Sequence, residues 1–340
     1  MICDLDNRVN LSKIAKDLGL SVSTVSRALS GSGRISETTT QTIKDYLKDK
    51  QLTPNVRKQG YNYIKNNVIA ITMPDDEETF QMPYFQTILS SVYDFFSIRD
   101  YQVIIIKTGF DSVENLEHAI LNHAMDGVII SRQIDQYNEI ELLNEYEVPF
   151  VLIGRDEQDE IPQIELDIEN ACFDLTNTLV KTGCRKIAVL GNNRKHPVNQ
   201  KRINGIKRAC MKNYIVLNPE YVFWDTDSDS IVEMAVEKIL MGNVDCVLCM
   251  DDDICLKTLC VIQRLQKKIP EDISIASLHN SAVLDRWNPP VTCIRYDVHM
   301  LGREAGKMLY AHLTEKKDVK HIRLGYEIKL RESTKTNINL

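Results

Sequence analysis

The spacing of apolar residues along the chain changes once, near residue 68. Before that point, Leu11–Leu18 carries apolar side chains at the 3.6-residue spacing of a short amphipathic helix. Gly19 follows, where a sharp turn needs a positive φ, and Ser21 can cap a second helix over residues 22–29. The short connection indicates a helix-turn-helix rather than two independent helices. A third helix, capped by Ser36, closes a small all-α core.

From Val68 onward, apolar runs of strand length alternate with amphipathic helices. This order predicts right-handed parallel βαβ units, arranged in two sheets of about four to six strands rather than one of ten. A helix over 298–313 and a last strand over 321–330 then cross back between two lobes. The other strands are predicted at 68–73, 103–107, 127–131, 150–153, 186–190, 221–224, 246–250 and 273–277.

The composition is that of a globular protein with more than one folding unit. The chain has 340 residues, of which 43% are hydrophobic and 26% charged, and a single core rarely grows to that size. Its longest apolar runs, such as 103–106 and 149–153, are far too short to span a membrane. The first ten residues are polar and acidic and lack the apolar centre of a signal peptide. We therefore expect a cytoplasmic protein that does not engage a membrane.

Charge is divided unevenly between the two parts of the chain. Residues 1–67 hold 11 Lys and Arg against 6 Asp and Glu, which gives a net charge of +5. Residues 68–340 hold 30 against 42, which gives a net charge of −12. This asymmetry is expected when only one end of a protein meets phosphates.

The exposed face of the second predicted helix has the chemistry for reading DNA bases. This part of a helix-turn-helix enters the major groove. Arg can bond guanine with two hydrogen bonds, Ser can bond base edges or phosphate, and Val can contact a thymine methyl group. Similar patterns occur in helical hairpins that bind no DNA, so the pattern alone leaves both alternatives open. The side chains in question are Val22, Ser23, Ser26 and Arg27.

Residues 9–29 resemble the DNA-binding headpiece of the lactose-repressor family almost position for position. The block Ser23-Thr24-Val25-Ser26-Arg27 is the most specific part, and the segment 52–55 resembles the end of that headpiece. The resemblance implies a sequence-specific transcription regulator that binds double-stranded operator DNA. The implied base contacts are Val22, Ser23 and Arg27, and the implied phosphate contacts are Ser21, Ser26 and Asn55.

The hinge after the headpiece departs from the family pattern. The family usually has an Ala, an Arg and then a Leu that wedges into the minor groove at the operator centre. Here Tyr61 occupies the wedge position, and Gly60, a poor helix former, precedes it. An aromatic ring can also separate a base step, so we assign Tyr61 to the DNA contacts. The predicted divisions are a headpiece over 1–54, a hinge over 55–67 and a core over 68–335.

The rest of the chain resembles the periplasmic-binding-protein type I core of the same family. We therefore predict an N-terminal all-α helix-turn-helix headpiece joined to an α/β core of two doubly wound lobes. The N-lobe should comprise about 68–163 and 294–322, and the C-lobe about 164–293 and 323–335. The segments that carry the likeness are 82–85, 183–191, 269–275, 289–292 and 301–305.

Ligands of open α/β sheets bind at the carboxyl ends of strands, which predicts an effector site between the lobes. By the resemblance, Arg202 holds the position whose guanidinium usually grips the effector, and His279 stands where the family often has Asp. The structural alternatives are a surface position for Arg202, a core role for the aromatic residues, a helix cap for the carboxylates, and no contact for His279. The candidate effector residues are Tyr84, Phe85, Arg132, Arg202, Asp251, Asp252 and His279.

Other chemistry is not indicated. Cys246 and Cys249 have the spacing of a zinc knuckle, but no second pair of ligands accompanies them, which favours a reduced, buried strand. The sequence has no Walker loop, nucleophile elbow or metal-spaced His pair. We therefore predict no enzyme activity, no cofactor and no metal site.

These features together predict a homodimeric repressor that binds a pseudo-palindromic operator and is controlled by a small molecule. A carbohydrate is the first choice, because a planar Arg and carboxylates beside aromatic rings suit hydroxyl groups and a ring face. Two alternatives stay open. One is a cytoplasmic solute-binding protein or sugar enzyme of similar fold, and the other is a family member controlled by a protein partner or a non-sugar ligand.

Overall fold

The structure is a computed structural model of the chain. Asn55, Tyr61 and most of the predicted hinge lie outside the residues it describes, as do the side chains of Ser23 and Ser26. The described residues are 8–9, 11–30, 35–50, 53–54, 66–109, 112–122, 124–133, 138–155, 161–226, 228–315 and 321–335.

Three short helices form the headpiece, as the apolar spacing predicts. Gly19 makes the turn with a φ of +66°, and the Ser21 hydroxyl accepts a 3.1 Å hydrogen bond from the Thr24 amide at the start of the second helix. Ser36 caps the third helix by accepting from the Thr39 amide at 3.1 Å. The elements are β1 (Arg8–Val9), α1 (Leu11–Leu18), α2 (Val22–Ser30), α3 (Glu37–Asp49) and β2 (Thr53–Pro54).

The headpiece has a core of its own. Ile14, Val25 and Ile43 are fully buried in one cluster whose members all lie within the headpiece. β1 pairs with β2 in parallel, which brings the two ends of the headpiece together at Val9 and Pro54. The headpiece thus closes on itself near residue 54.

The first lobe, which we call the N-lobe, is a six-stranded parallel sheet in the order β13-β7-β6-β5-β3-β4. Its strands are buried on both sides because helices cover both faces of the sheet. Its elements are β3 (Val68–Pro74), α4 (Glu77–Gln81), α5 (Pro83–Ser97), β4 (Gln102–Thr108), α6 (Glu114–Leu121), β5 (Gly127–Ile130), α7 (Asn138–Glu145), β6 (Phe150–Ile153) and β7 (Gln163–Leu166), joined later by α13 (Val298–Glu315) and β13 (Ile322–Leu324).

The second lobe, the C-lobe, is a six-stranded sheet in the order β14-β12-β11-β10-β8-β9, with β14 antiparallel. The chain crosses between the lobes three times, near Asp167, Asp297 and Gly325. Its elements are α8 (Ile168–Lys181), β8 (Ile187–Leu190), α9 (Pro197–Lys212), β9 (Val222–Phe223), α10 (Asp229–Met241), β10 (Cys246–Cys249), α11 (Asp252–Arg264), β11 (Ser274–Ser277), α12 (Ala282–Arg286), β12 (Thr292–Tyr296) and β14 (Tyr326–Lys329).

Two details of the sequence prediction were wrong. The single last strand expected over 321–330 is two strands in different sheets, because the chain crosses between the lobes at Gly325. β7 was not predicted at all, and it belongs to the N-lobe. The strands therefore move the expected lobe boundaries by a few residues, to the crossings near Asp167, Asp297 and Gly325.

α8 and α9 meet at Gly205, where a glycine is needed for close approach. A Cβ atom at Gly205 would contact the carbonyl oxygen of Glu169 and lie 2.8 Å from the Cβ of Cys172. We expect Gly205→Ala to lower the free energy of unfolding by about 2 kcal/mol or more, because backbone atoms cannot yield as side chains do. Denaturant unfolding measures the loss, and Lys207→Ala serves as the control at an exposed position of the same helix. A change within 0.5 kcal/mol for both variants would contradict the close contact.

Candidate functional site

The helix predicted to read DNA presents one described basic side chain. Arg27 is exposed on α2. Val22 is half-buried and packs against the headpiece core, so its side chain is only partly available for a base contact. The hydroxyl of Ser21 caps α2 and lies 2.7 Å from the Thr24 hydroxyl. Ser23, Ser26, Asn55 and Tyr61, the other predicted DNA contacts, stay predictions because they lie outside the described side chains.

A polar pocket in the C-lobe forms around the guanidinium of Arg202. Arg202 Nη1 donates a 2.9 Å hydrogen bond to Asn199 Oδ1, one turn earlier on α9. Asp251 Oδ1 caps α11 by accepting from the Ile254 amide at 2.8 Å, so the capping alternative holds for this oxygen. The other oxygen of Asp251 accepts from Asn192 Nδ2 at 3.3 Å. We call Asn192, Arg202 and Asp251 the polar pocket.

Three buried polar atoms at this pocket have no hydrogen-bond partner among the described residues. They are Arg202 Nε, Asn192 Oδ1 and the Tyr296 hydroxyl. Buried polar groups are nearly always paired in folded proteins. A donor, an acceptor and a hydroxyl group left unpaired at one place therefore indicate a binding site for a polar ligand.

Burial dominates the electrostatics of the pocket. Burial raises the pKa of Asp251, against the opposing effect of Arg202. Burial also raises the pKa of Tyr84 to about 12, again opposed by Arg202, and raises that of Tyr296 well above its usual value. Both phenols therefore stay neutral at pH 7 and can donate hydrogen bonds.

The rings of Tyr84, His279 and Tyr296, which we call the aromatic wall, line a larger cavity. The ring centroids of Tyr84 and His279 lie 6.0 Å apart, and His279 stacks on Tyr296 at 6.2 Å. His279 Nδ1 lies 3.4 Å from Asp252 Oδ1. Burial by itself raises the pKa of Asp252, but the hydrogen bond and the charge interaction with His279 lower it overall. The cavity has a volume of about 1080 Å³, and its lining includes Tyr84, His279, Tyr296 and Asp252 but not Arg202.

The seven predicted effector residues divide into three groups. Tyr84, Asp252 and His279 line the cavity, and Arg202 and Asp251 form the polar pocket next to it. Phe85 is buried in the main hydrophobic core and is not part of the cavity lining, which agrees with the core alternative. Arg132 stands apart in the N-lobe, where it donates to the Thr108 carbonyl at 3.0 Å.

Arg132 is half-buried in the N-lobe, near the buried carboxyl group of Glu139 and the exposed carboxylates of Asp75 and Asp76. Burial lowers its pKa, opposed by Asp76, Glu139 and Asp75. Burial raises the pKa of Glu139, although hydrogen bonds with Thr108 and Thr72 oppose the shift. Arg132 is absent from the residues that line the cavity and does not join the polar pocket.

Two residues of the site, Asn192 and Tyr296, were not predicted from the sequence, and Trp224 lies close to the segment that carries Asn192. Asn192 comes two residues after the end of β8, so the rule that ligands meet strand ends identifies it once the strand is placed. Tyr296 ends β12, beside the crossing at Asp297. Trp224 lies against Gly191 at the end of β8, where an added Cβ would be 3.2 Å from the indole ring. The glycine at position 191 was the one sign in the sequence that another group packs closely against the chain there.

The cysteine pair with zinc-knuckle spacing does not form one site. Cys246 is buried in the cluster that contains α8 and α9, whereas Cys249 is buried on the other face of β10 with α10 and α11. Side chains on opposite faces of a strand cannot bind one metal ion together. Within the described ranges, no group of three His, Cys, Asp or Glu side chains has metal-binding geometry. Among the same residues, no helix is long and apolar enough to cross a membrane.

Known proteins share both the fold and the sequence pattern. Residues 176–334 match the family described as a periplasmic binding protein-like domain. The chain is 26% identical over 333 residues to the HTH-type transcriptional regulator RegA of Clostridium saccharobutylicum, covering 96% of this chain and 99% of that protein. It is 26% identical to the solved structure of the transcription regulator CcpA of Lactococcus lactis, with a TM-score of 0.68 over 79% of this chain and 99% of that one.

A third likeness extends over the headpiece and the core together. The solved complex of the transcriptional regulator CelR with cellobiose superposes with a TM-score of 0.72, covers 95% of this chain and 99% of that chain, and is 23% identical. Fold and site therefore define a ligand-binding periplasmic-binding-protein-like core joined to a helix-turn-helix headpiece. The chain is similar to transcriptional regulators of the lactose-repressor (LacI) family. The relatives named here are regulators of transcription rather than enzymes.

Proposed function

We propose that this regulator is a homodimeric repressor whose operator affinity is set by a carbohydrate bound between the two lobes. The observation that carries the ligand class is the set of unpartnered buried atoms on Arg202, Asn192 and Tyr296. A sugar hydroxyl both donates and accepts, so neighbouring hydroxyls could pair with all three atoms. The rings of Tyr84, His279 and Tyr296 provide an apolar wall for a sugar ring face.

The relatives support the same ligand class. CelR was solved with cellobiose bound, and its fold covers nearly all of this chain. We extend that chemistry to this chain because the polar pocket and the aromatic wall meet where the two lobes face each other. Its operator would be chromosomal, so we place the protein in the cytoplasm, and we assign it a homodimer because paired headpieces match a pseudo-palindromic operator.

A sugar titration tests the ligand class. Trp224 lies against Gly191, the residue before Asn192, so we expect its fluorescence to report a bound sugar. We expect at least one of cellobiose, maltose, glucose and ribose to give a saturable change in a Trp287→Phe protein, which keeps Trp224 as the reporter, and to raise the Tm. A flat response to all four, with no change in Tm, would contradict the carbohydrate assignment and leave the family assignment unaffected.

Arg27 is the proposed base-reading residue in the headpiece. We expect Arg27→Ala to lower specific operator affinity about tenfold to a hundredfold, since a bidentate contact with guanine contributes about 1–3 kcal/mol. Binding to random DNA should change little, because it depends on the remaining basic side chains. A competition shift assay on an operator selected from random duplexes measures the ratio. Lys16→Ala, which removes an exposed charge from α1, is the control, and an equal loss on operator and random DNA for Arg27→Ala would remove it from base reading.

A further inference from the structure

A buried carboxylate joins the two lobes next to the polar pocket. Glu165 lies in β7 of the N-lobe, and only 6% of its side chain is exposed. Lys201, on α9 of the C-lobe, places its Nζ 3.1 Å from Glu165 Oε2. Arg323, on the neighbouring strand β13, reaches the other oxygen at 2.7 Å. One carboxylate is therefore shared between a cation of its own lobe and a cation of the opposite lobe.

A histidine and a further arginine complete the cluster. Arg155 Nη1 lies 2.8 Å from His321 Nδ1, and a guanidinium can only donate, so Nδ1 is the acceptor. His321 Nε2 then carries the proton and donates to Glu165 Oε1 at 3.1 Å. Burial by itself raises the pKa of Glu165, but the charges of Lys201 and Arg323 and their hydrogen bonds lower it overall. Glu165 is thus ionised at neutral pH and holds partners on both oxygens.

The position of this cluster links it to the effector site and to the crossings. Lys201 directly precedes Arg202 on α9, and Asn199, which holds the Arg202 guanidinium, lies on the same turn. Glu165 is two residues before the crossing at Asp167, and Arg323 is two residues before the crossing at Gly325. The contact between the lobes is therefore made at the turn of α9 that positions the polar pocket, close to the segments about which the lobes would move.

We propose that Glu165 is a positioning residue for the effector site, acting through Lys201. The pair fixes the first turns of α9 against the N-lobe and so holds Arg202 in the closed arrangement of the lobes. Loss of the pair frees the lobes to separate and weakens effector binding without touching the DNA-reading helix. The part about effector affinity rests on the proposed function, whereas the part about lobe closure does not.

Hydrogen exchange on the full-length protein without any sugar tests lobe closure. We call the contact between Lys201 of the C-lobe and Glu165 of the N-lobe the seam. Lys201→Met keeps the aliphatic stem and removes the charge on the C-lobe side, and Glu165→Gln removes the charge on the N-lobe side. The matched control is Arg208→Met, which breaks an ion pair with Glu169 on the same helix but within the C-lobe. We expect both seam variants to speed amide exchange about tenfold in residues 197–203 of the C-lobe and in β7 and β13 of the N-lobe, because local opening sets exchange rates.

The outcomes separate the two parts of the proposal. In the control variant, faster exchange should stay within α8 and α9. If Lys201→Met behaves like the control, with no change in β7 or β13, the pair does not hold the lobes together and the proposal is overturned. If exchange also rises in β7 and β13, the same variants are titrated with whichever of cellobiose, maltose, glucose and ribose binds the wild type. The half-saturating concentration should then rise about fivefold to tenfold in Lys201→Met and stay unchanged in Arg208→Met. Unchanged sugar affinity in both would overturn the link to the effector site.

Discussion

Removal of residues 1–67 should abolish operator binding and leave a folded, acidic core. The physical reason is that the headpiece buries its own cluster around Ile14, Val25 and Ile43, while none of the described residues of this segment belongs to the core clusters. The removed part also carries the net positive charge of the chain, +5 against −12 for the remainder. A core with a net negative charge should not bind the phosphate backbone of DNA.

Shift assays and sedimentation measure the two halves of this result. The truncated protein should give no operator complex at any concentration that saturates the full-length protein, and it should sediment as a dimer with a single unfolding transition. Arg27→Ala in the full-length chain is the companion control, because it should lose specificity while keeping weak binding. An aggregated or unfolded fragment would show that the division at residue 67 cuts through a folding unit.

Arg202→Ala should remove the effector response and leave operator affinity without effector intact. Arg202 supplies the guanidinium of the polar pocket, and its Nε is buried with no partner among the described residues. A charged donor lost from a buried site typically costs about 2–3 kcal/mol of binding, which corresponds to a loss of sugar affinity of roughly 30-fold to 150-fold. Burial raises the pKa of Asp251, and the charge of Arg202 opposes that rise. Removal of Arg202 would therefore make the Asp251 carboxylate harder to keep ionised, which would weaken sugar binding further.

The matched control for this variant is Arg208→Ala. Arg208 lies on the same helix and is half-exposed, with Glu169 as its ion-pair partner. It should keep a wild-type response, since an exposed ion pair contributes about 0–1 kcal/mol. Operator binding titrated with and without sugar compares the two. A wild-type response from Arg202→Ala would take Arg202 out of the site, whatever the family likeness implies.

Local sequence patterns were enough to predict most of the fold. The helical spacing in Leu11–Leu18 and the buried apolar runs of β3, β5, β6 and β10 are set by periodicity, which needs no tertiary information. β7 could not be predicted in this way. Its sequence includes Gln163 and Glu165, which are buried because tertiary partners satisfy them, and a pattern of apolar positions cannot reveal such partners.

The candidate site was predicted in outline but not in detail. The rule that ligands meet the carboxyl ends of strands pointed to Asp251 and His279, which follow β10 and β11, while Arg202 came from the family resemblance. Their roles toward an effector stay predictions. The same rule gives a position but not a direction for a side chain. Phe85 turns into the core, and Arg132 remains with the carbonyl of Thr108 in the N-lobe. Only packing decides those directions.

We expect a small molecule bound in the core to change operator affinity. The most direct measurement is the operator dissociation constant of the full-length protein with and without the protein-free small-molecule fraction of an extract from its own host. We expect the operator dissociation constant to change at least about fivefold, within the range of allosteric coupling between two sites, and not to change for Arg202→Ala. Equal operator affinity with and without that fraction, alongside a change when the protein fraction is added instead, would contradict the account and favour control by a protein partner.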